Sequence, residues 1–398
     1  MSSGARRAPV RRFVIAASLA RTPSEGVSLA LVLLCVQRDV SAAWAGVLVA
    51  ATSFPQIVSG PVLGTWLDRS GNMWNAVRIA AAMTAAAVAG LAGLIGHAPV
   101  ALAVGLCVVV ALAEPTFSGG ISAAADRTLV RDGATTVHAW DSFSYNVAGL
   151  LAPALVTVVA ATVDASAATI ALAAAVLLGS AVSQGLRTRP ASSSAEPGTY
   201  KPGVRPALAA IRDSAPLRAV TLSTTVAFVG IGGLTFAAVA ATRAADRPTN
   251  DAGQLFTVLA VGGLLGSLLM TRRPSPAHPE RVVAVTLAAT GVVLAGMAVT
   301  EWWPALLLGG GLVGMLDGPL LVGLFAVRVA GAPADLRATV FTLGASAKLG
   351  ASALGAVLGG QLLGGRSTTV GFVLIGVVHL AAAALAWLPG PRSHGVAR

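Results

Sequence analysis

The chain has 398 residues, of which 55% are hydrophobic and only 11% charged, with a net charge of +11. So little charge cannot coat a soluble domain of this size, and a lipid bilayer is the expected solvent. The basic residues gather in loops without the interleaved aromatics of a nucleic-acid surface, and the two cysteines, Cys35 and Cys107, lie inside apolar runs without metal-ligand spacing.

Apolar runs delimit twelve predicted spans. Stretches of about 20 apolar residues match a hydrocarbon core about 30 Å thick, where only helices or closed barrels satisfy the backbone. The Ala- and Leu-rich runs here are too long for barrel strands. The first span, 12–36, opens on Arg11-Arg12-Phe13 in the manner of a secretory signal, but its apolar pattern resumes at Val27, which fits one longer helix. It carries Arg21 and Glu25 at i and i+4, hence on one face. Arg21 is about nine residues in, roughly 13 Å at 1.5 Å per residue and so near the midplane. The second span, 42–66, runs into the loop Gly60-Pro61-Val62-Leu63-Gly64-Thr65-Trp66-Leu67-Asp68-Arg69-Ser70-Gly71, and the third covers 75–96. Glu114 is the one ionisable residue of the fourth span, 99–123, and Pro115 follows it. The fifth, 135–163, carries Asp141 and Tyr145 one turn apart. Asp141 reads as an acid favoured by the N-terminal half of its helix and placed near water. The sixth covers 167–186.

Segment 187–215 is the one long polar connection. Pro190, Ser192, Ser193, Ser194, Pro197, Gly198, Pro202 and Pro206 mark it as a flexible linker. It divides an N-terminal bundle, 1–186, from a C-terminal bundle, 216–398. Six further spans follow, at 216–241, 251–271, 281–301, 303–327, 336–363 and 367–388. The tenth contains Asp317 followed by Pro319, and the eleventh contains Lys348. His379 in the twelfth carries no assigned role.

With the N-terminus inside, the inner segments hold 21 Lys and Arg residues and the outer loops 4, namely Arg38, Arg243, Arg247 and Arg366. That asymmetry predicts a multi-pass protein of the cell membrane with both termini in the cytoplasm. The halves also match each other at an offset of about 203 residues: Leu63-Gly64-Thr65 with Leu265-Gly266-Ser267, Arg78 with Arg281, Glu114-Pro115 with Asp317-Gly318-Pro319, and Ala134-Thr135 with Ala338-Thr339. Parallel six-helix repeats of this kind build one large class of secondary transporters.

The loop after the second span supplies a specific motif. Gly64, Asp68, Arg69 and Gly71, followed by Arg78 at the start of the third span, resemble the signature loop of the major facilitator superfamily, and the resemblance covers essentially the whole chain. The pair of basic residues that usually follows the second Gly is replaced by Asn72-Met73-Trp74-Asn75. The fold implied is all-α, with twelve transmembrane helices in two pseudo-symmetric bundles. The family role implied for Asp68 is a charge-relay contact that steadies the outward-open state. Gly149, Ala152 and Pro153 stand in the fifth span as a reduced version of the family's antiporter motif, with most of its glycines lost. The Arg that many drug exporters carry in the fourth span is absent. Small-residue pairs such as Gly60/Gly64, Gly262/Gly266, Gly310/Gly314 and Gly355/Gly359 permit close helix contacts.

Charges at membrane depth cost about 2.5–3.5 kcal/mol on insertion scales, so each demands a reason. The resemblance implies that spans 1, 4, 7 and 10 line a central cavity, and Arg21, Glu25, Glu114 and Asp317 fall on three of those four. Glu114 and Asp317, at equal depth in corresponding spans, are the candidates for proton coupling or for binding a cationic group. Arg21 is expected to pair with Glu25 or Glu114, and Lys348 with Asp317. The function expected is secondary transport by alternating access, most directly proton-coupled export of a small organic molecule. Proton-symport uptake of a nutrient and a non-transporting protein of the same fold are the alternatives. The chain has no His-Glu-x-x-His, no Asp-rich diphosphate motif and no Walker loop, so neither an intramembrane enzyme nor an ATP-driven pump is expected. No cofactor is expected beyond a proton gradient as energy source, and the protein reads as a monomer with a small-molecule substrate and the lipid bilayer as partners.

Overall fold

The computed structural model describes residues 3–69, 73–129, 134–186, 203–247, 251–273, 276–363 and 368–387. Seven helices come first: α1 (Ser3–Gln37), α2 (Ala42–Arg69), α3 (Met73–Leu94), α4 (Val100–Pro115), α5 (Ile121–Leu129), α6 (Ala134–Thr162) and α7 (Ala165–Val182). A short helix α8 (Val204–Asp213) then precedes α9 (Ala215–Ala244), α10 (Ala252–Met270), α11 (Pro279–Met297), α12 (Trp303–Gly331), α13 (Arg337–Leu363) and α14 (Thr368–Trp387). Helix α8 lies inside the segment read as linker; residues 187–202 of that segment are outside the described set. Among the described residues, 11 helical stretches are long and apolar enough to cross a membrane, with α4, the turn after it and most of α5 forming one of them. Helix α13 is 27 residues long, about 40 Å at 1.5 Å per residue.

The chain divides into two compact units. One comprises residues 1–204 with 334–347, the other 205–333 with 348–398. The first turns of α13 thus belong with the first unit. In that unit α1 packs on α6 and α7, α2 on α4, and α3 on α4 and α7. In the second unit α9 packs on α14, α10 on α12, and α11 on α12 and α14. The same pairwise scheme recurs, as the sequence repeat requires. Close packing in the second unit rests on glycine: a Cβ on Gly262 would lie 2.9 Å from Met315 N, and one on Gly314 would lie 2.7 Å from Leu259 C. Only hydrogen fits at those contacts, so α10 and α12 meet backbone to backbone.

The repeat also appears in how its first helices end. Asp39 (φ 53°) closes α1 and Asp246 (φ 51°) follows α9, both in the left-handed region. Val40 N–H donates to Cys35 O at 2.9 Å and Asp39 N–H to Val36 O at 3.4 Å; Arg247 N–H donates to Thr242 O at 2.8 Å and Asp246 N–H to Arg243 O at 3.2 Å. Both are Schellman caps, with Asp where Gly is usual. Arg38, beside the first cap, explains one of the four outer-loop arginines. Its guanidinium donates to Ala92 O at 2.6 Å and Ser166 Oγ at 2.8 Å, and also to Ile95 O. It therefore satisfies carbonyls at the C-terminus of α3, where a cation is favoured.

Helix α4 does not continue directly into α5. Pro115 has no N–H to donate and relaxes the helical ladder there. The next residues, Thr116–Gly120, form a π turn, closed by the Ile121 N–H donating to Thr116 O. Such a turn is common where a helix carries function.

Candidate functional site

Arg21 is 1% exposed and sits at the centre of a cage built from α1, the π turn, α5 and α6. Its Nε–H donates to Phe117 O at 3.0 Å, Nη2 donates to Ser122 Oγ at 3.1 Å, and Nη1 donates to Asp141 O at 3.4 Å and to Ser144 Oγ. Nη2 also pairs with Asp141 Oδ1 at 2.9 Å, and both side chains are 1% exposed. The guanidinium lies 3.6 Å from the centroid of the Tyr145 ring. The partner of Arg21 is thus Asp141, not Glu25 or Glu114. Asp141 is likewise no water-facing acid: it is buried at the heart of the unit. Its spacing carried the signal, because Asp141, Ser144 and Tyr145 share one helix face and an intramembrane Arg requires such a face opposite it.

Glu25, one turn beyond Arg21, is solvent-accessible and feels the Arg21 charge. A Cβ on Gly149 would lie 4.0 Å from Glu25 Oε2, so the smallest residue of the antiporter-like segment stands beside this carboxylate. Ala152 of that segment is buried, in the α1–α6 contact; a Cβ on Gly26 would lie 3.2 Å from it. Pro153 sits within α6. Glu114 is half-buried, accepts from Ser118 Oγ at 3.3 Å and from the Ser24 hydroxyl, and feels the charges of both Glu25 and Arg21. Among the described residues neither Glu25 nor Glu114 forms an ion pair. Among the described residues of this unit, Arg21 is the fully buried cation and Asp141, Glu25 and Glu114 are the acids that act on it or feel it.

In the second unit Lys348 is half-buried, with Nζ 4.7 Å from the centroid of the Phe228 ring. Asp317 attracts it and Arg328 repels it. Arg328, one residue past the span read as 303–327, lies within α12 and is 2% exposed. The span boundary drawn at 327 hid it. His379, 2% exposed, holds its Nδ1 2.9 Å from Ile375 O and packs its ring on Gly230.

The signature loop makes a clasp on the start of α13. The half-buried Asp68 carboxylate accepts from Ala338 N at 2.7 Å, Thr339 N at 2.8 Å and Thr339 Oγ1 at 2.6 Å. An acidic side chain from α2 therefore caps the N-terminus of a distant helix, where unsatisfied N–H groups and the helix dipole favour an anion. Gly64 is a glycine for a steric reason: a Cβ there would lie 2.7 Å from Thr339 Cα and overlap Thr342 Oγ1. Arg69 is exposed at the end of α2, and Gly71 lies outside the described residues. Arg78 is not part of the clasp. It donates to Ser183 O at 3.4 Å, beyond the end of α7, and to Asn75 Oδ1.

No family model matches the chain, and no curated protein matches it in sequence. Solved structures match it over nearly its whole length. The human organic anion transporter MFSD10 (TETRAN) is similar with a TM-score of 0.73 at 16% identity, covering 97% of this chain and 100% of that one. A bacterial homologue of the iron transporter ferroportin, in an outward-facing state, gives 0.71 at 15% identity, covering 95% and 97%. The proton:xylose symporter XylE, bound to 6-bromo-6-deoxy-D-glucose, gives 0.71 at 14% identity, covering 97% and 96%. At such identities the likeness speaks for the fold alone: this is an all-α, multi-pass membrane protein with the fold of the major facilitator superfamily.

Proposed function

We propose that this protein is a secondary transporter that works by alternating access and couples proton entry to export of a small organic molecule. Glu114 and Asp317 carry the protons or hold a cationic group of the substrate, with Arg21, Glu25 and Lys348 setting the field around them. The observation that carries this reading is the commitment of Arg21 to Asp141. With that cation occupied, Glu114 and Glu25 are two carboxylates held near each other at membrane depth, and a cation or a proton relieves that arrangement. The Asp68 clasp, formed by Gly64, Asp68 and the first turn of α13, supports a conformational-switch role for the loop that also includes Arg69, Gly71 and Arg78. The small residues Gly149 and Ala152, before Pro153, keep the α1–α6 contact close beside Glu25 and support an antiporter reading. The protein acts as a monomer in the cell membrane with both termini in the cytoplasm, driven by the proton gradient without a cofactor.

The test is flux in inside-out vesicles, with cationic dyes and small amphiphiles as probes. The wild type is expected to move a probe against its gradient and to dissipate ΔpH when it is added, and Glu114→Gln or Asp317→Asn to stop both. If no cation moves, or both variants behave as wild type, these acids are structural and the coupling assignment falls.

A further inference from the structure

Three helix ends of the first unit meet at one corner: the start of α1, the start of α3 and the end of α7. Gly179 sets α7 against α1, since a Cβ there would lie 2.8 Å from Ala20 N. Phe13 of α1 meets Trp74 of α3 edge to face, with ring centroids 6.0 Å apart. Arg12 precedes Phe13, and Arg78 lies one turn beyond Trp74. Both guanidinium groups converge on the turn that ends α7. Arg78 Nη1 donates to Ser183 O at 3.4 Å, and Arg12 Nη1 lies 2.8 Å from the place a Cβ on Gly185 would take. Gly185, at φ 102°, holds a left-handed conformation that suits glycine, and its missing side chain leaves room for Arg12.

A helix C-terminus favours a cation, but that alone does not account for this cluster. Ser183 O already accepts the Leu186 N–H at 2.9 Å, and Arg78 donates besides only to Asn75 Oδ1. A guanidinium has five N–H donors. Among the described residues Arg11, Arg12 and Arg78 form no ion pair, and Arg11 and Arg12 make no hydrogen bond. Arg11 and Arg12 are exposed and Arg78 is half-buried. All three stand near the same end of the membrane-length stretches Pro9–Gln37 and Met73–Leu94, the end at which Ala165–Val182 finishes. Deeper along the same three helices, Ile15, Ile79 and Leu178 are exposed. We propose that this corner binds the phosphodiester of an anionic phospholipid, with the three arginines on the headgroup and those apolar side chains against its acyl chains. Guanidinium forks match phosphate oxygens, and basic pockets between membrane helices take such headgroups. The apolar side chains below the arginines favour a lipid over free phosphate. The site goes beyond the transport reading and does not rest on it.

The experiment is native mass spectrometry of the full chain titrated with dioleoylphosphatidylglycerol or dioleoylphosphatidylcholine, with inorganic phosphate as competitor. The wild type is expected to take its first phosphatidylglycerol at least about twentyfold more tightly than phosphatidylcholine, since each arginine near an anionic headgroup contributes about fivefold. Arg12→Gln should reduce that preference about fivefold, and Arg12→Gln with Arg78→Gln should nearly abolish it. Arg272→Gln, at an exposed arginine of the second unit, should leave it unchanged. Arg12→Gln should unfold with the wild type in phosphatidylcholine nanodiscs, because Arg12 has no hydrogen bond within the chain to lose. No preference in the wild type, or one that survives the double substitution, overturns the proposal. An equal loss in Arg272→Gln would mean diffuse surface charge, and displacement of the lipid by inorganic phosphate would mean a free-anion site; either overturns it. An Arg12→Gln variant that is unfolded without anionic lipid also does, because Arg12 would then be structural.

Discussion

Replacing Asp68 by Asn probes the clasp with almost no change of shape. The carboxylate takes two donors from Thr339 on one oxygen and the Ala338 N–H on the other. An amide that keeps its oxygen toward Thr339 turns its NH2 against the Ala338 N–H, 2.7 Å from the oxygen it replaces. The two remaining bonds lose charge assistance, about 0.5–1 kcal/mol each, and one helix N–H loses its acceptor, about 1–3 kcal/mol. The lost anion at the helix terminus adds about 0.3–1 kcal/mol. Asp68 is half-buried, so water recovers part of this, and a total of about 3 kcal/mol is expected, equivalent to about a hundredfold in the opening equilibrium of the clasp. Hydrogen exchange of the 337–342 amides in nanodiscs reads that equilibrium directly. Asp68→Asn should speed exchange at Ala338 and Thr339 by about a hundredfold, and Thr339→Val, which removes one hydroxyl bond, by about fivefold. Exchange in Asp68→Asn within threefold of wild type would show that the clasp does not hold the start of α13.

Gly64→Ala should open the same clasp, because its methyl meets the Thr339 and Ala338 backbone as well as Thr342 Oγ1, and the backbone cannot rotate away; exchange at 338–339 should rise at least as much as in Asp68→Asn. Asp39→Gly and Asp246→Gly should each stabilise the protein by about 0.5–1 kcal/mol, since both exposed residues occupy left-handed conformations that glycine adopts without strain, a rise readable in the unfolding midpoint. Arg38→Gln should cost about 1–2 kcal/mol by leaving the last carbonyls of α3 unsatisfied, and the loss should persist at high salt because the bonds are to backbone.

Span number, the repeat and the signature loop were legible because each is a one-dimensional pattern: apolar length, a fixed offset, a short motif. Partners were not, because they depend on which helix faces meet. Asp68 was legible as an acid in a family loop, but Ala338 and Thr339 are 270 residues away, and nothing local marks a helix N-terminus as its target. Arg21 was legible as a buried charge needing compensation, yet proximity on one helix pointed to Glu25, whereas the compensation came across the unit from Asp141. Arg328 fell outside the tenth span because its charge ended the apolar count at 327, four residues before α12 ends at Gly331.

Pro115 shows where the remaining information lay. In sequence it is a kink beside an acid. In the structure it sets off the π turn that turns the Phe117 carbonyl toward Arg21, and the same turn carries Gly119, whose missing Cβ would lie 2.9 Å from Thr342 N. Thr342 in turn donates to Ala338 O at 2.9 Å, one residue from the clasp closed by Asp68. A single irregularity in α4 therefore touches both the buried cation and the capped end of α13. A proline can be read from the chain; which carbonyl it redirects, and onto what, follows only when the neighbouring helices are in place. Hence the residues read as one motif loop and one isolated charge belong to a continuous run of contacts within a single unit.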